Sequence, residues 1–159
     1  MGVVLVSAMI KPMVGSLLCT IAATISKLLP KVKCLAPIRG VGTKNKNVSD
    51  DLHKDPDYFV GEVPANTYKL LLNALNECSK TFGNFRANVL IIQGGIDKLV
   101  SPDGAFELLD KCQSKDKTVN HWLIQLLFYE NMWHDVFHEE EIADLLPRMV
   151  EWIRLRTPQ

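Results

Sequence analysis

The apolar and polar positions of the chain follow two periods, one typical of buried strands and one typical of amphipathic helices. Three short runs, rich in β-branched and other apolar residues, favour parallel strands that are buried on both faces. These runs are Val3–Ser7, Asn88–Gln93 and Thr118–Tyr129. The spacing of apolar residues between and after these runs predicts helices instead.

Four helices are predicted from this spacing and from residues that start or stop helices. They are Ser16–Leu29, Thr67–Cys78, Pro102 to about Cys112, and a last helix that begins near Glu139. Ser101 is a candidate cap for the third helix, and Pro147 predicts a kink or a restart in the last. The segment Lys31–Asn47 is rich in Gly, Pro, Lys and Asn, which indicates a loop. Because strands and helices alternate from Arg86 onward, the fold class is α/β with a parallel sheet.

The composition of the chain limits its size class, its compartment and the kinds of partner that it can bind. Its 159 residues fit one ordinary domain. The 18 basic and 18 acidic residues cancel, so nothing attracts the chain as a whole to nucleic acid, and we expect no such partner. The four cysteines have neither metal-ligand nor disulfide-framework spacing, which favours a reducing, cytoplasmic compartment with no metal or cofactor. Neither N-terminal apolar run reaches the roughly 20 clean residues of a membrane span.

An aspartate and a histidine follow two successive predicted strands. Asp97 lies in "LIIQGGIDKLVSP", after a paired-glycine turn, and His134 lies in "YENMWHDVFHEEE". Ligands gather at the carboxyl ends of parallel strands, so neighbouring strands would bring both side chains to one edge. Asp97 would then orient the imidazole, within about 2.6–3.2 Å, and His134 would move a proton. The alternatives are a turn aspartate and a partly buried structural histidine. We expect His138 to cap or neighbour the last helix.

The segments "VLIIQGGIDKLVSPDGAFELL", "SKDKT", "YENMWHDVFHEE" and "MVEWIRLRT" resemble a known family. They are similar to the C-terminal half of monoacylglycerol lipase-like α/β-hydrolases, of the serine aminopeptidase S33 or lysophospholipase group. The opening "GVVLVSAMI" resembles the strand that follows the nucleophile helix of that family. The resemblance covers essentially the whole chain. It implies a partial α/β-hydrolase fold, a parallel sheet remnant with a helical cap, in which Asp97 is the triad acid and His134 the triad base.

The resemblance also implies an organisation and a substrate. Residues 1–9 would form a core strand, residues 10–75 a helical cap or lid, and residues 76–159 the C-terminal core that carries the acid and base. The substrate would be an acyl ester, in particular a monoacylglycerol-like lipid ester. The apolar stripe Leu17–Leu29 would then either contact a membrane peripherally or pack on the sheet.

The nucleophile of that family is missing from the sequence. Its G-x-S-x-G motif does not occur, and neither Ser7 nor Ser16 has the flanking glycines that the motif requires. We therefore expect the C-terminal half of a serine hydrolase, inactive alone, whose N-terminal half a partner chain could supply. The alternative is a non-catalytic remnant that acts as a binding or scaffold module. The segment Val119–Phe128, longer than in the family, fits a lengthened strand, an insertion or translated non-coding sequence.

Overall fold

A computed structural model describes residues 2–13, 16–33, 42–58, 62–112 and 124–157, and every structural statement below concerns these residues. They form three strands, β1 (Gly2–Val6), β2 (Asn88–Gly94) and β3 (Ile124–Tyr129). The helices are α1 (Ser16–Leu28), α2 (Lys46–Lys54), α3 (Ala65–Thr81), α4 (Asp103–Cys112) and α5 (Ile142–Arg154). Single 3₁₀ turns at Phe82–Asn84 and Val136–His138 precede β2 and α5.

The three strands form one parallel sheet in the order β1-β2-β3. Leu5 pairs with Ile91, and Ile91 pairs with Leu126, so the carboxyl ends of all three strands lie at one edge. This confirms the predicted α/β class with a parallel sheet and the predicted positions of β1 and β2. Of the third predicted run, residues 118–123 lie outside the described residues, and the strand is described from Ile124.

The central strand divides the core into two layers, because successive side chains of a strand point to opposite faces. Leu90 and Ile92 pack with Met132, Leu145 and Trp152 on the α5 side. The other face of β2 packs on α4 and on the 3₁₀ turn that precedes β2. The core on this face consists of Val89, Ile91, Phe82, Ala105, Leu108 and Cys112. Burial on both faces explains why the sequence of β2 is a continuous apolar run rather than an alternating one.

The last helix corrects two details of the sequence analysis. It begins at Ile142 rather than near Glu139. Glu139 has extended backbone angles (φ −95°, ψ 160°) and is only 3% exposed. Glu139 therefore points into the molecule instead of lying in a first helical turn. The helix also runs through Pro147 without a break, so the predicted restart is wrong.

The described residues between β1 and β2 form the helices α1, α2 and α3 and the turns that connect them. α1 and α3 appear close to their predicted positions and pack on each other. α2 was not predicted from the sequence. Its start is stabilised by the side chain of Asn45, which accepts hydrogen bonds from the N–H groups of Asn47 and Val48. No described residue of this region joins the sheet; its bridges, Pro12 with Val100 and Lys33 with Pro64, are isolated. No helix in the described ranges is long and apolar enough to cross a membrane.

Candidate active site

The paired glycines at the end of β2 allow the chain after β3 to approach very closely. A Cβ atom added at Gly94 would collide with the carbonyl oxygens of Met132 and Trp133, and one at Gly95 would lie 2.6 Å from the Glu130 carbonyl oxygen. Side chains at these two positions would push the segment that carries His134 away from β2. The glycines therefore set the spacing between the two predicted site residues.

Asp97 follows this turn and is buried, with its side chain fully shielded from solvent. Its Oδ1 accepts hydrogen bonds from the N–H groups of Leu99 (2.8 Å) and Val100 (3.0 Å). Its Oδ2 accepts one from Gln93 Nε2 (3.0 Å) and lies 2.9 Å from His134 Nδ1. Four donors thus surround one buried carboxylate, which is the environment that an ionised buried acid requires.

These contacts also set the protonation state of Asp97. Burial alone raises the pKa of a carboxyl group, because it disfavours the charged form. Here the hydrogen bond from His134, and those from the Val100 and Leu99 N–H groups, outweigh burial and hold the pKa of Asp97 below its ordinary value. Asp97 is therefore a carboxylate at neutral pH and accepts but cannot donate a proton.

His134 lies where the sequence analysis expected it, just beyond the carboxyl end of β3. The 2.9 Å separation from Asp97 Oδ2 falls within the expected range. Because Asp97 only accepts, His134 Nδ1 must carry the hydrogen, which leaves Nε2 as the ring's proton acceptor. The imidazole is 31% exposed, whereas the carboxylate behind it is fully buried. This geometry can orient a base and stabilise the cation that forms when the base takes up a proton.

A cavity of about 410 Å³ opens beside His134. It lies between the carboxyl edge of the sheet and the segment 42–58, which contains α2. The sheet edge and the segments that follow the strands contribute Val6, Ser7, Leu99, His134, Asp135, Val136 and Phe137 to its walls. The segment 42–58 contributes Gly42, Thr43, Ser49, Leu52, His53 and Tyr58. The cavity is thus mixed in polarity, and part of the region predicted to be a cap forms one of its walls.

Glu139 ties this wall to the segment that carries His134, a role that sequence reasoning missed. Its Oε1 accepts hydrogen bonds from Thr43 Oγ1 (3.1 Å) and the Lys44 N–H (2.9 Å). Lys44 Nζ lies 3.0 Å from its Oε2 and forms an ion pair with it. The Asp135 N–H adds a main-chain hydrogen bond to the Gly42 carbonyl oxygen (2.8 Å). Any movement of residues 42–45 therefore acts on the residues next to His134.

Gln93 and His138 also lie near the pair. Gln93 is 1% exposed and donates to Asp97, a role that the sequence analysis does not predict, although a buried amide in an apolar run is itself a signal of a polar network. His138 does neighbour the last helix, in the 3₁₀ turn before it, and pairs with Asp135 (Nδ1 to Oδ2, 2.6 Å). Among the described residues, no three His, Cys, Asp or Glu side chains converge as metal ligands.

Two solved structures share the fold over nearly the whole chain. The crystal structure of the Paleococcus ferrophilus monoacylglycerol lipase aligns with a TM-score of 0.77 at 18% identity, over 99% of this chain and 60% of that one. A soluble variant of the Saccharomyces cerevisiae monoglyceride lipase, in complex with a substrate analogue, gives 0.76 at 19% identity, over 99% and 54%. The architecture is therefore that of an α/β-hydrolase, present in part.

Sequence comparison gives the family. The profile described as "Serine aminopeptidase, S33" matches residues 1–141, and the chain belongs to this family. The human "Monoglyceride lipase" is 27% identical over 98% of this chain, and the Mycolicibacterium smegmatis "Monoacylglycerol lipase" is 24% identical over 88%. The chain spans 51% and 48% of these two proteins, about half the length of each.

Replacing Asp97 with Asn should destabilise the chain in a pH-dependent way. A hydrogen bond to a charged group is worth roughly 1.5–3 kcal/mol, and we expect a loss of that order at neutral pH. Because the folded-state pKa of Asp97 is lowered, its contribution is fully present above the ordinary value of about 4 and is lost as the pH falls through the folded value. Urea denaturation from pH 7 to pH 2 measures the difference in unfolding free energy.

The exposed Asp110 on α4 provides a control, and Asp110→Asn should change the unfolding free energy by no more than about 0.5 kcal/mol at neutral pH. A difference between wild type and Asp97→Asn that stays constant down to pH 2 would contradict the assigned ionisation of Asp97.

Proposed function

We propose that the chain supplies the acid and base of a serine ester hydrolase, with Asp97 orienting His134 and His134 moving the proton. The observation that carries the proposal is the 2.9 Å contact between a fully buried carboxylate and a partly exposed imidazole at the wall of a cavity. A base whose Nδ1 is held by a buried acid has Nε2 to take up a proton, and it is suited to deprotonate a hydroxyl nucleophile.

The proposed substrate is a carboxylic ester of a lipid, similar to a monoacylglycerol. The names of the two curated relatives support this class. The cavity beside His134 also has apolar walls, which include Leu52, Leu99 and Phe137, next to polar groups such as Ser49 and Tyr58. Such a surface suits a molecule with an acyl chain and a polar alcohol part. In this proposal residues 10–75 are the cap that shields the ester from water.

The proposal requires a serine that these 159 residues do not place in a G-x-S-x-G motif. The mechanism also needs donors aimed at the oxyanion, each worth roughly 3–4 kcal/mol of the barrier. We propose that both come from a segment that adds a parallel strand beside β1. In the described sheet β1 is an edge strand, and its residues Gly2 and Val3 are exposed. A partner chain or an upstream part of the same polypeptide could supply that segment.

A chimera tests this function. An N-terminal half that carries the G-x-S-x-G motif of the family is joined to Gly2 of this chain. We expect a fluorophosphonate probe to label the added serine and a monoacylglycerol to be hydrolysed. His134→Ala should lower kcat by at least about a thousandfold, because the serine loses its base. The 159 residues alone should show neither labelling nor turnover.

The neighbouring His138→Ala provides the matched control, since His138 pairs with Asp135 and not with Asp97. It should leave kcat within a few-fold of the unsubstituted chimera. A folded chimera that binds lipid but stays unlabelled would contradict the hydrolase and favour a binding module. Equal losses in the two histidine variants would contradict the role of His134.

We also propose that the cap contacts membranes peripherally through the end of α1. Leu28 and Leu29 are 81% and 57% exposed, and the exposed lysines Lys27, Lys31 and Lys33 surround them. Apolar side chains flanked by basic ones suit a surface with anionic lipids, where each lysine adds about 1 kcal/mol.

The membrane contact predicts loss of vesicle binding when the two leucines become charged. Leu28→Glu combined with Leu29→Glu should weaken binding to phosphatidylcholine–phosphatidylserine vesicles by at least about tenfold, measured by co-sedimentation, because burying one leucine is worth about 1.5–3 kcal/mol. Leu155→Glu, at the end of α5, replaces a leucine that is 72% exposed and should leave binding unchanged. Equal binding of all three proteins would refute this contact.

A further inference from the structure

Ser7 has a left-handed backbone conformation, which residues other than glycine rarely adopt. It follows β1 directly, with φ of 43°, and it is the one non-glycine residue of the described chain with a positive φ. Its residue exposure is 7%, so the conformation is held inside the structure and not at a free loop. A glycine would take this φ without the steric cost of a Cβ atom. The serine must therefore have a compensating interaction in the folded state.

That interaction is a hydrogen bond to the main chain of His134. The Ser7 N–H continues the pairing of β1 with β2 through the Ile92 carbonyl oxygen, at 2.9 Å. Its hydroxyl donates to the carbonyl oxygen of His134, in the segment that follows β3, with 2.5 Å between the two oxygens. The hydroxyl proton is thus committed to a carbonyl group, although Ser7 lines the same cavity as the imidazole.

Each of the three neighbouring strands is therefore followed by a polar residue, and these three residues form one cluster. β1 is followed by Ser7, β2 by Asp97 and β3 by His134. Asp97 holds the ring of His134 through Nδ1, and Ser7 holds its main chain through the carbonyl oxygen. A ring and a backbone that are held from two different strands cannot swing away from the acid by rotation of the His134 segment alone.

We propose that Ser7 is a positioning residue that fixes the main chain of His134 so that the imidazole meets Asp97. It acts through His134 and does not itself react with substrate. The inference rests on the proposed role of His134 as the base, but the geometry that it predicts can be measured without any catalytic turnover.

The test measures how fast the His134 Nδ1 hydrogen exchanges with water. In protein labelled with ¹⁵N-histidine, this hydrogen gives a far-downfield proton resonance when the carboxylate of Asp97 holds it. Ser7→Ala removes the hydroxyl and keeps the Cβ atom, whereas Ser7→Gly removes the hydroxyl and relieves the backbone. We expect roughly tenfold faster exchange in both, the factor that corresponds to one lost hydrogen bond. Ser7→Cys, a weak donor, should restore part of the protection.

The two substitutions separate positioning from backbone strain, because Ser7→Gly should unfold at a higher denaturant concentration than Ser7→Ala. Ser49→Ala removes a hydroxyl from the same cavity wall and should leave the exchange rate unchanged. Wild-type exchange in Ser7→Gly, or labelling of Ser7 by a fluorophosphonate, would overturn the inference while leaving the acid–base pair intact. A wild-type protein without the protected resonance would instead overturn the Asp97–His134 pair, and this inference with it.

Discussion

The parallel pairing of β2 with β3 is the constraint on which the site depends. It brings the carboxyl ends of both strands to one edge, so that residues distant in sequence become neighbours. Gly94 and Gly95 then allow the chain after β3 to fold over the end of β2, where any side chain would collide with it. Only with this close approach does His134 Nδ1 reach the carboxylate of Asp97. The chemistry of the pair is therefore a consequence of strand direction and backbone packing.

A second constraint couples the cavity wall to the same edge. The buried Glu139 holds Thr43 and Lys44, and the next residue, Asn45, caps α2. α2 contributes Ser49, Leu52 and His53 to the cavity, so one carboxylate links the wall of the cavity to the segment that carries His134. Leaving such a carboxylate without its donors would be costly, because a buried charge needs partners. In the proposed hydrolase, this link would hold the cap in a fixed position relative to the base.

The sequence was sufficient to predict the sheet and the pair of Asp97 and His134. It was not sufficient to predict the contacts that hold this pair in place. The apolar run of β2 and the glycine pair are local signals, and Asp97 and His134 follow from strand order. α2 carries no such signal, because its residues are mostly polar and none is buried. The sequence predicts the start of a helix near Glu139 and not its burial, since an exposed and a buried acid look the same in one sequence. Gln93 and Ser7 act through contacts between strands, which no local pattern reveals.

A double-mutant cycle on Asp97 and His134 tests the central claim most directly. The unfolding free energies of wild type, Asp97→Asn, His134→Gln and the double variant are measured at pH 7. If the two side chains share the hydrogen bond, the losses should be non-additive, with a coupling energy of roughly 1.5–3 kcal/mol. Single-variant losses that add within about 0.5 kcal/mol would show that the residues do not interact, and would contradict the site on which the proposed function rests.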